Sequence, residues 1–296
     1  MFSLLVLVGC GDISNAFLLE DAEFLDSLPA ESRHTVLLEP EREPEEEAPS
    51  LLVTSLEVST TVNGVLLQLL ASIDYVRTLR PTERTPDGRR WGPYPYTDDV
   101  DIEVWNNRSG AGRFDWGADA VSSTRTLTYL FGTHYAGDSV AAGDGEFSWL
   151  LGDSAEMLGG SATGELIVDY DNRDGIDLLV DIVGVSDGFG PPLTARYAFR
   201  LVEGEKDFQY TYQADVVGTD GVLEDLAIRS RWDGSVGGRA DVLVSGGTLE
   251  ADVERWTQCW DDAPALTYEG DERGWFPSTG DESACVYPTF AEVDRI

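Results

Sequence analysis

ARYAFRLVEGEKDFQYTYQADVV, residues 195–217, alternates apolar and polar side chains on either side of a short break. Tyr197, Phe199 and Leu201 alternate with Arg196, Ala198 and Arg200. Beyond Glu203-Gly204-Glu205, Phe208, Tyr210, Tyr212, Ala214 and Val216 alternate with Gln209, Thr211, Gln213 and Asp215. An extended chain points successive side chains to opposite faces, so each run is a strand with one dry face. The break is too short for a crossover, so the two strands pair antiparallel.

The pattern continues outward from this hairpin. Downstream it passes through Leu226, Ile228 and Trp232, then Ala240, Val242 and Val244, then Leu249, Ala251 and Val253. Upstream it takes in IDLLVDIVGV (176–185) and GELIVDY (164–170), and it begins near Asp98. Asp-Gly recurs at Asp87-Gly88, Asp144-Gly145, Asp174-Gly175, Asp187-Gly188, Asp220-Gly221 and Asp233-Gly234, the dipeptide of tight hairpin turns. About ten strands in one sheet accumulate enough twist to curl. The expected fold is therefore mainly β, an antiparallel meander forming a barrel, half-barrel or sandwich.

An N-terminal helix is expected to pack on it. In SLLVTSLEVSTTVNGVLLQLLASIDYVRTLRP (50–81), Leu52, Leu56, Val62, Leu66, Leu69, Ile73 and Val76 share one helical stripe, and Pro81 ends it. Thr60, Thr61, Asn63 and Gly64 interrupt the middle, which makes the second half the firmer helix. LEPEREPEEEAPS (38–50) is nearly devoid of apolar residues and reads as an extended linker. Before it, NAFLLEDAEFLDSLP (15–29) predicts a short helix with Phe17, Leu18, Leu25 and Leu28 partly on one side. The expected organisation is a partial signal peptide (1–9), a lipidated segment with a short helix (10–37), the linker (38–50) and a single helix-plus-β domain (51–296).

With 42% apolar residues in 296 positions the chain can build a sizeable core, although its net charge is −35. Binding to nucleic acid is excluded, because phosphate contacts need clustered cations and Lys206 is the sole lysine. The same charge keeps the protein off anionic lipid except through a covalent anchor.

Leu4 to Val8 form an apolar run too short to span a bilayer, and it stops at Gly9-Cys10-Gly11-Asp12. Leu7-Val8-Gly9-Cys10 resembles the lipobox of bacterial lipoproteins. That resemblance implies cleavage before Cys10, acylation of its sulfur, and a place in the cell envelope, expected at an outer membrane facing the periplasm or the surface. The basic start of an export signal is absent before Cys10. A buried N-terminal strand with a free thiol is the alternative. The resemblance extends to uncharacterised lipoproteins and names a location without an activity. At the level of architecture alone, the expected fold is similar to lipocalin-like and lipoprotein-carrier calyces.

Setting Cys10 aside leaves Cys259 and Cys285, which can form one disulfide suited to an oxidising compartment. A metal site is the rival, but two Cys without a neighbouring His fall short of the usual four ligands. His34 and His134 are far apart in sequence and read as surface or packing residues.

DYDNRDGID (169–177) offers Asp169, Asp171 and Asp174 as calcium ligands, with Asp177 beyond them. Arg173 stands at a ligand position, Gly175 comes one residue late and no Glu closes the loop, so a plain hairpin turn is favoured and no cofactor is expected. VRTLRPTERTPDGRRWGPYPY (76–96) gathers Arg77, Arg80, Arg84, Arg89 and Arg90 beside Trp91, Tyr94 and Tyr96. It could hold an anionic ligand, a sugar or a partner's acidic face, or neutralise nearby carboxylates and pin the helix C-terminus. The structural role is favoured. Trp256 and Trp260 beside Cys259 raise the same choice, with packing favoured.

No nucleophile elbow, zincin helix or phosphate loop is present. The expectation is a non-enzymatic, lipid-anchored envelope protein that binds an apolar ligand or protein partner or has a structural role. The alternative is an envelope glycan hydrolase with paired carboxylates in a cleft.

Overall fold

A computed structural model describes residues 15–35, 49–186, 188, 192–215, 221–249, 253–274 and 277–290. Cys10 with its lipobox, nearly all of the linker and two expected strand residues, Val216 and Ala251, lie outside these. The meander is realised as one open sheet of 15 strands in sequence order, each antiparallel to the next. They are β1 (Glu83–Thr85), β2 (Gly88–Pro95), β3 (Val100–Gly110), β4 (Arg113–Ser122), β5 (Thr126–Ala136), β6 (Gly143–Leu150), β7 (Thr163–Asp171) and β8 (Ile176–Ser186). The second half comprises β9 (Leu193–Val202), β10 (Glu205–Ala214), β11 (Glu224–Asp233), β12 (Gly237–Ser245), β13 (Val253–Trp260), β14 (Leu266–Asp271) and β15 (Thr279–Gly280).

The number exceeds the expected ten or so. The basic segment itself forms the β1–β2 hairpin, and the chain after Trp260 adds two short strands. Tyr197 pairs with Tyr210 and Phe199 with Phe208, as the alternation requires. Glu203 and Gly204 form the two-residue turn with φ of 53° and 93°, the left-handed pair that matches the strand twist. Asp144-Gly145, read from sequence as a turn, instead lies within β6. Gly145 is needed there for close approach, since a Cβ would stand 2.1 Å from the Thr133 carbonyl oxygen.

Residues 50–77 form one uninterrupted helix, α3 (Ser50–Arg77), after α1 (Asn15–Asp26) and α2 (Glu31–His34). The polar middle does not break it, and Thr54, Ser55, Thr60 and Thr61 donate their hydroxyls to carbonyls one turn back. Leu52, Val62, Leu66, Leu69, Ile73 and Val76 are buried as the stripe predicts, and Leu56 is half-buried.

By length and composition α3 could cross a membrane, with a mean hydropathy of 1.3 over its most apolar window, but its stripe faces the sheet. Buried side chains from every strand between β2 and β13 join it in one core cluster. The sheet thus wraps the helix. Polar contacts set its position. The Leu51 N–H donates to Gln258 Oε1 on β13 at 2.8 Å, Ser55 meets Ser230 on β11 at 2.6 Å, and the Trp91 indole on β2 donates to the Leu79 carbonyl just past the helix. The N-terminal segment belongs to the same core, through Phe24 and Leu28. A further helix, α4 (Leu151–Leu158), bridges β6 and β7.

Candidate functional site

The sheet has two faces with different fates. The concave face is closed by α3, α1 and α2, while the convex face carries the charged halves of the strand alternations. On β6, β7 and β8 those halves are acidic. Glu146 stands directly opposite Asp169, Asp144 opposite Asp171, and Asp171 opposite Asp177. These carboxylates, with Tyr135, Leu179 and Arg173, line an open groove of about 420 Å³.

Like charges facing across neighbouring strands repel. Partial burial, together with Glu146 and Asp181, pushes the Asp169 carboxyl above its usual range, against the pull of Arg196. Burial, Asp171 and Asp207 likewise raise Asp177 against Arg200. Asp171 goes the other way. Arg173 grips it through Nε at 2.9 Å and through a second nitrogen, holding it below the usual carboxylate range.

The structure brings two of the three calcium candidates, Asp169 and Asp171, to this groove and leaves Asp174 outside its lining. Asp171 is paired with Arg173, Asp169 faces Glu146, and Asp174 sits in the exposed β7–β8 turn. Among the described residues, no group of three or more His, Cys, Asp or Glu is arranged to hold a metal ion. What the sequence reading lacked was Glu146, whose nearness to Asp169 follows only from the pairing of β6 with β7.

The basic and aromatic candidates are also drawn apart. Arg89 is buried and reaches Asp21 at 2.6 Å, with Arg84 on the same carboxylate at 2.9 Å. Burial raises Asp21, and these two guanidinium groups more than reverse it, leaving its pKa lowered. Arg77 donates to the Leu28 carbonyl, and Arg90 pairs with Glu83 and Glu103. Trp91 is fully buried and Tyr94 is packed against the core, Arg84 and Arg90 are exposed but engaged in ion pairs, and Arg80 and Tyr96 are exposed as well. These residues tie the β1–β2 hairpin to α1 and the end of α3, and they do not converge on one open surface.

At the other end of the sheet the C-terminal segment straps the convex face. Cys259 and Cys285 are bonded, with their Cα atoms 5.4 Å apart. Beside them Arg239 and Asp241 form a buried pair at 3.0 Å, which Glu282 and the Phe290 N–H complete. The Phe290 ring lies under Arg229 and Arg231, and both guanidinium groups bind Asp207. Burial raises Asp207, but those two arginines outweigh it and depress its pKa. Trp256 and Trp260 pack toward the core.

Comparison with family models, with curated proteins and with solved structures finds no match for this chain.

Proposed function

We propose that this chain is an exported, lipid-anchored envelope protein without catalytic activity, whose role is structural or is to engage an envelope partner through its convex surface. The observation that carries this reading is the occupied concave face. A carrier of apolar ligands needs an apolar cavity, whereas Val62, Leu66, Leu69 and Leu70 already fill the trough of this sheet. The lipobox-like Leu7-Val8-Gly9-Cys10 supports the anchor, and the Cys259–Cys285 bond fits an oxidising compartment.

A fluorescent fatty acid titrated into the protein is expected to show no saturable binding, and one-to-one binding that unlabelled fatty acid displaces would refute the filled-trough reading. Labelled palmitate, supplied to cells expressing the chain behind a complete signal, is expected to tag the wild type and leave Cys10→Ala unlabelled. Equal labelling of both would remove the anchor from the proposal.

A second reading, an envelope glycan hydrolase, is favoured by one feature. Glu146 and Asp169 face each other in the groove beside Tyr135, and the Asp169 carboxyl is shifted upward, as a general acid requires. Release of reducing ends from purified envelope glycan by the wild type, lost in Asp169→Asn and in Glu146→Gln, would establish it. No release by the wild type would dismiss it.

A further inference from the structure

Both histidines of this protein are buried at one place, although the sequence separates them widely. His34 closes α2 and His134 lies on β5, with relative exposures of 1% and 2%. Tyr170 on β7 joins them. Its ring meets the His34 ring edge-on with centroids 4.3 Å apart, and its hydroxyl lies 2.9 Å from His134 Nδ1. His134 Nε2 is 2.7 Å from the Val140 carbonyl, so a neutral ring donates to Val140 and accepts from Tyr170. His34 Nδ1 lies 2.9 Å from the Ala30 carbonyl, its Nε2 is 3.4 Å from the Asn172 amide nitrogen, and Phe147 of β6 covers the ring.

The charges around this cluster have the wrong sign to hold a second proton. Arg33 on α2 donates to the Ala141 carbonyl and its charge disfavours protonation of both imidazoles, and the charge of Arg77 on α3 does the same for His34. Asp26 of α1 and Asp74 of α3 act on those two guanidinium groups. Asp144 on β6 favours the charged form of His134. Among the described residues, neither imidazole has a hydrogen bond to a carboxylate. A proton on either ring would add a cation to a dry site that already holds arginines, where Coulomb repulsion is weakly screened.

We infer that the seat of α2, packed on α3 and β8 and against His134, Phe147 and Tyr170 of β5, β6 and β7, is an acid-sensitive latch: proton uptake by His34 and His134 releases α2 and uncovers Tyr170 and Phe147, while α3 and the sheet stay folded. The sign follows from linkage. Burial, against the Ala30 hydrogen bond, pushes His34 down to about 3, whereas an exposed imidazole titrates near 6.5. Burial also lowers His134 against its Val140 bond. The open form then binds more protons than the closed form at every pH between these limits. Opening is disfavoured at neutral pH and grows as pH falls below about 6.5. From His34 alone, the opening constant at pH 5 should be about 30-fold that at pH 7.5. The carboxylate pairs at Asp21 and Asp207 have lowered pKa values, so they respond only at lower pH.

Hydrogen exchange followed by mass spectrometry at pH 7.5 and 5.0, corrected for intrinsic rates, tests the latch. Protection of residues 28–35 is expected to fall by at least about 30-fold, with β9 and β12 unchanged, and most of the fall should vanish in His34→Gln. Equal protection of residues 28–35 at both pH values overturns the inference, as does an undiminished fall in both His34→Gln and His134→Gln. The wild type gives a second reading that needs no variant. With two histidines, it has two imidazole Hε1 resonances, and either one titrating near 6.5 while protection stays high would also overturn it.

Discussion

Replacing Leu66 with alanine tests whether the sheet is organised around α3. Leu66 is completely buried near the middle of the helix, in the cluster that takes side chains from β2 through β13. Truncation removes its transfer free energy and leaves a cavity, and neighbours held by strands on both flanks have little freedom to close it. Leucine-to-alanine changes at such sites cost about 3–5 kcal/mol, and we expect about 3–4 here. For a protein of this size that lowers the melting temperature by roughly 5–6 °C. Urea unfolding followed by tryptophan fluorescence reads the difference, with Gln68→Ala on the solvent face of the same helix as the control, expected within about 0.5 kcal/mol of wild type. If Leu66→Ala costs less than about 1 kcal/mol and matches the control, α3 does not fill the trough, and the argument against a ligand cavity fails with it.

Other outcomes are expected. Cys259→Ser/Cys285→Ser should lose about 3.5 kcal/mol, the chain entropy of a loop with a sequence separation of 26, and intact stability would mean that the strap holds without its bond. Arg239→Ala, which leaves the buried Asp241 with Arg255 at 3.5 Å as its remaining cation, should cost about 3 kcal/mol by the same urea assay, and a neutral effect would contradict that pairing. Asp169→Asn should stabilise the protein at pH 7 by a few tenths of a kcal/mol, because it removes a partly desolvated charge and its repulsion from Glu146 and Asp181. A carboxyl raised in the folded state is a penalty present above its folded pKa and relieved as pH falls through it, so the gain should disappear near pH 4. A gain that grows toward acid pH would reverse the assignment. Millimolar calcium should shift the melting temperature no more than magnesium does at matched ionic strength, since Arg173 holds Asp171. A calcium-specific rise abolished by Asp171→Ala would show a site there.

Local alternation in the sequence determined the strands, because backbone pleating sends neighbouring side chains to opposite faces whatever the rest of the chain does. Tyr197 and Phe199 against Phe208 and Tyr210 needed no other information. The helical stripe from Leu52 to Val76 was equally plain, and so was the pairing of Cys259 with Cys285 once Cys10 was set aside. Tertiary structure decided the rest. The β1–β2 hairpin lacks a clean apolar alternation, since its arginines answer to Asp21 and Glu103 from other elements. The uninterrupted middle of α3 depends on burial against the sheet, which outweighs the weak helix propensity of Thr60, Thr61 and Gly64. The facing of Glu146 and Asp169, and the meeting of His34 with His134, depend on which strands lie side by side and which helix covers them. Sequence separation carries no record of such contacts, and only closure of the chain on its core brings them about.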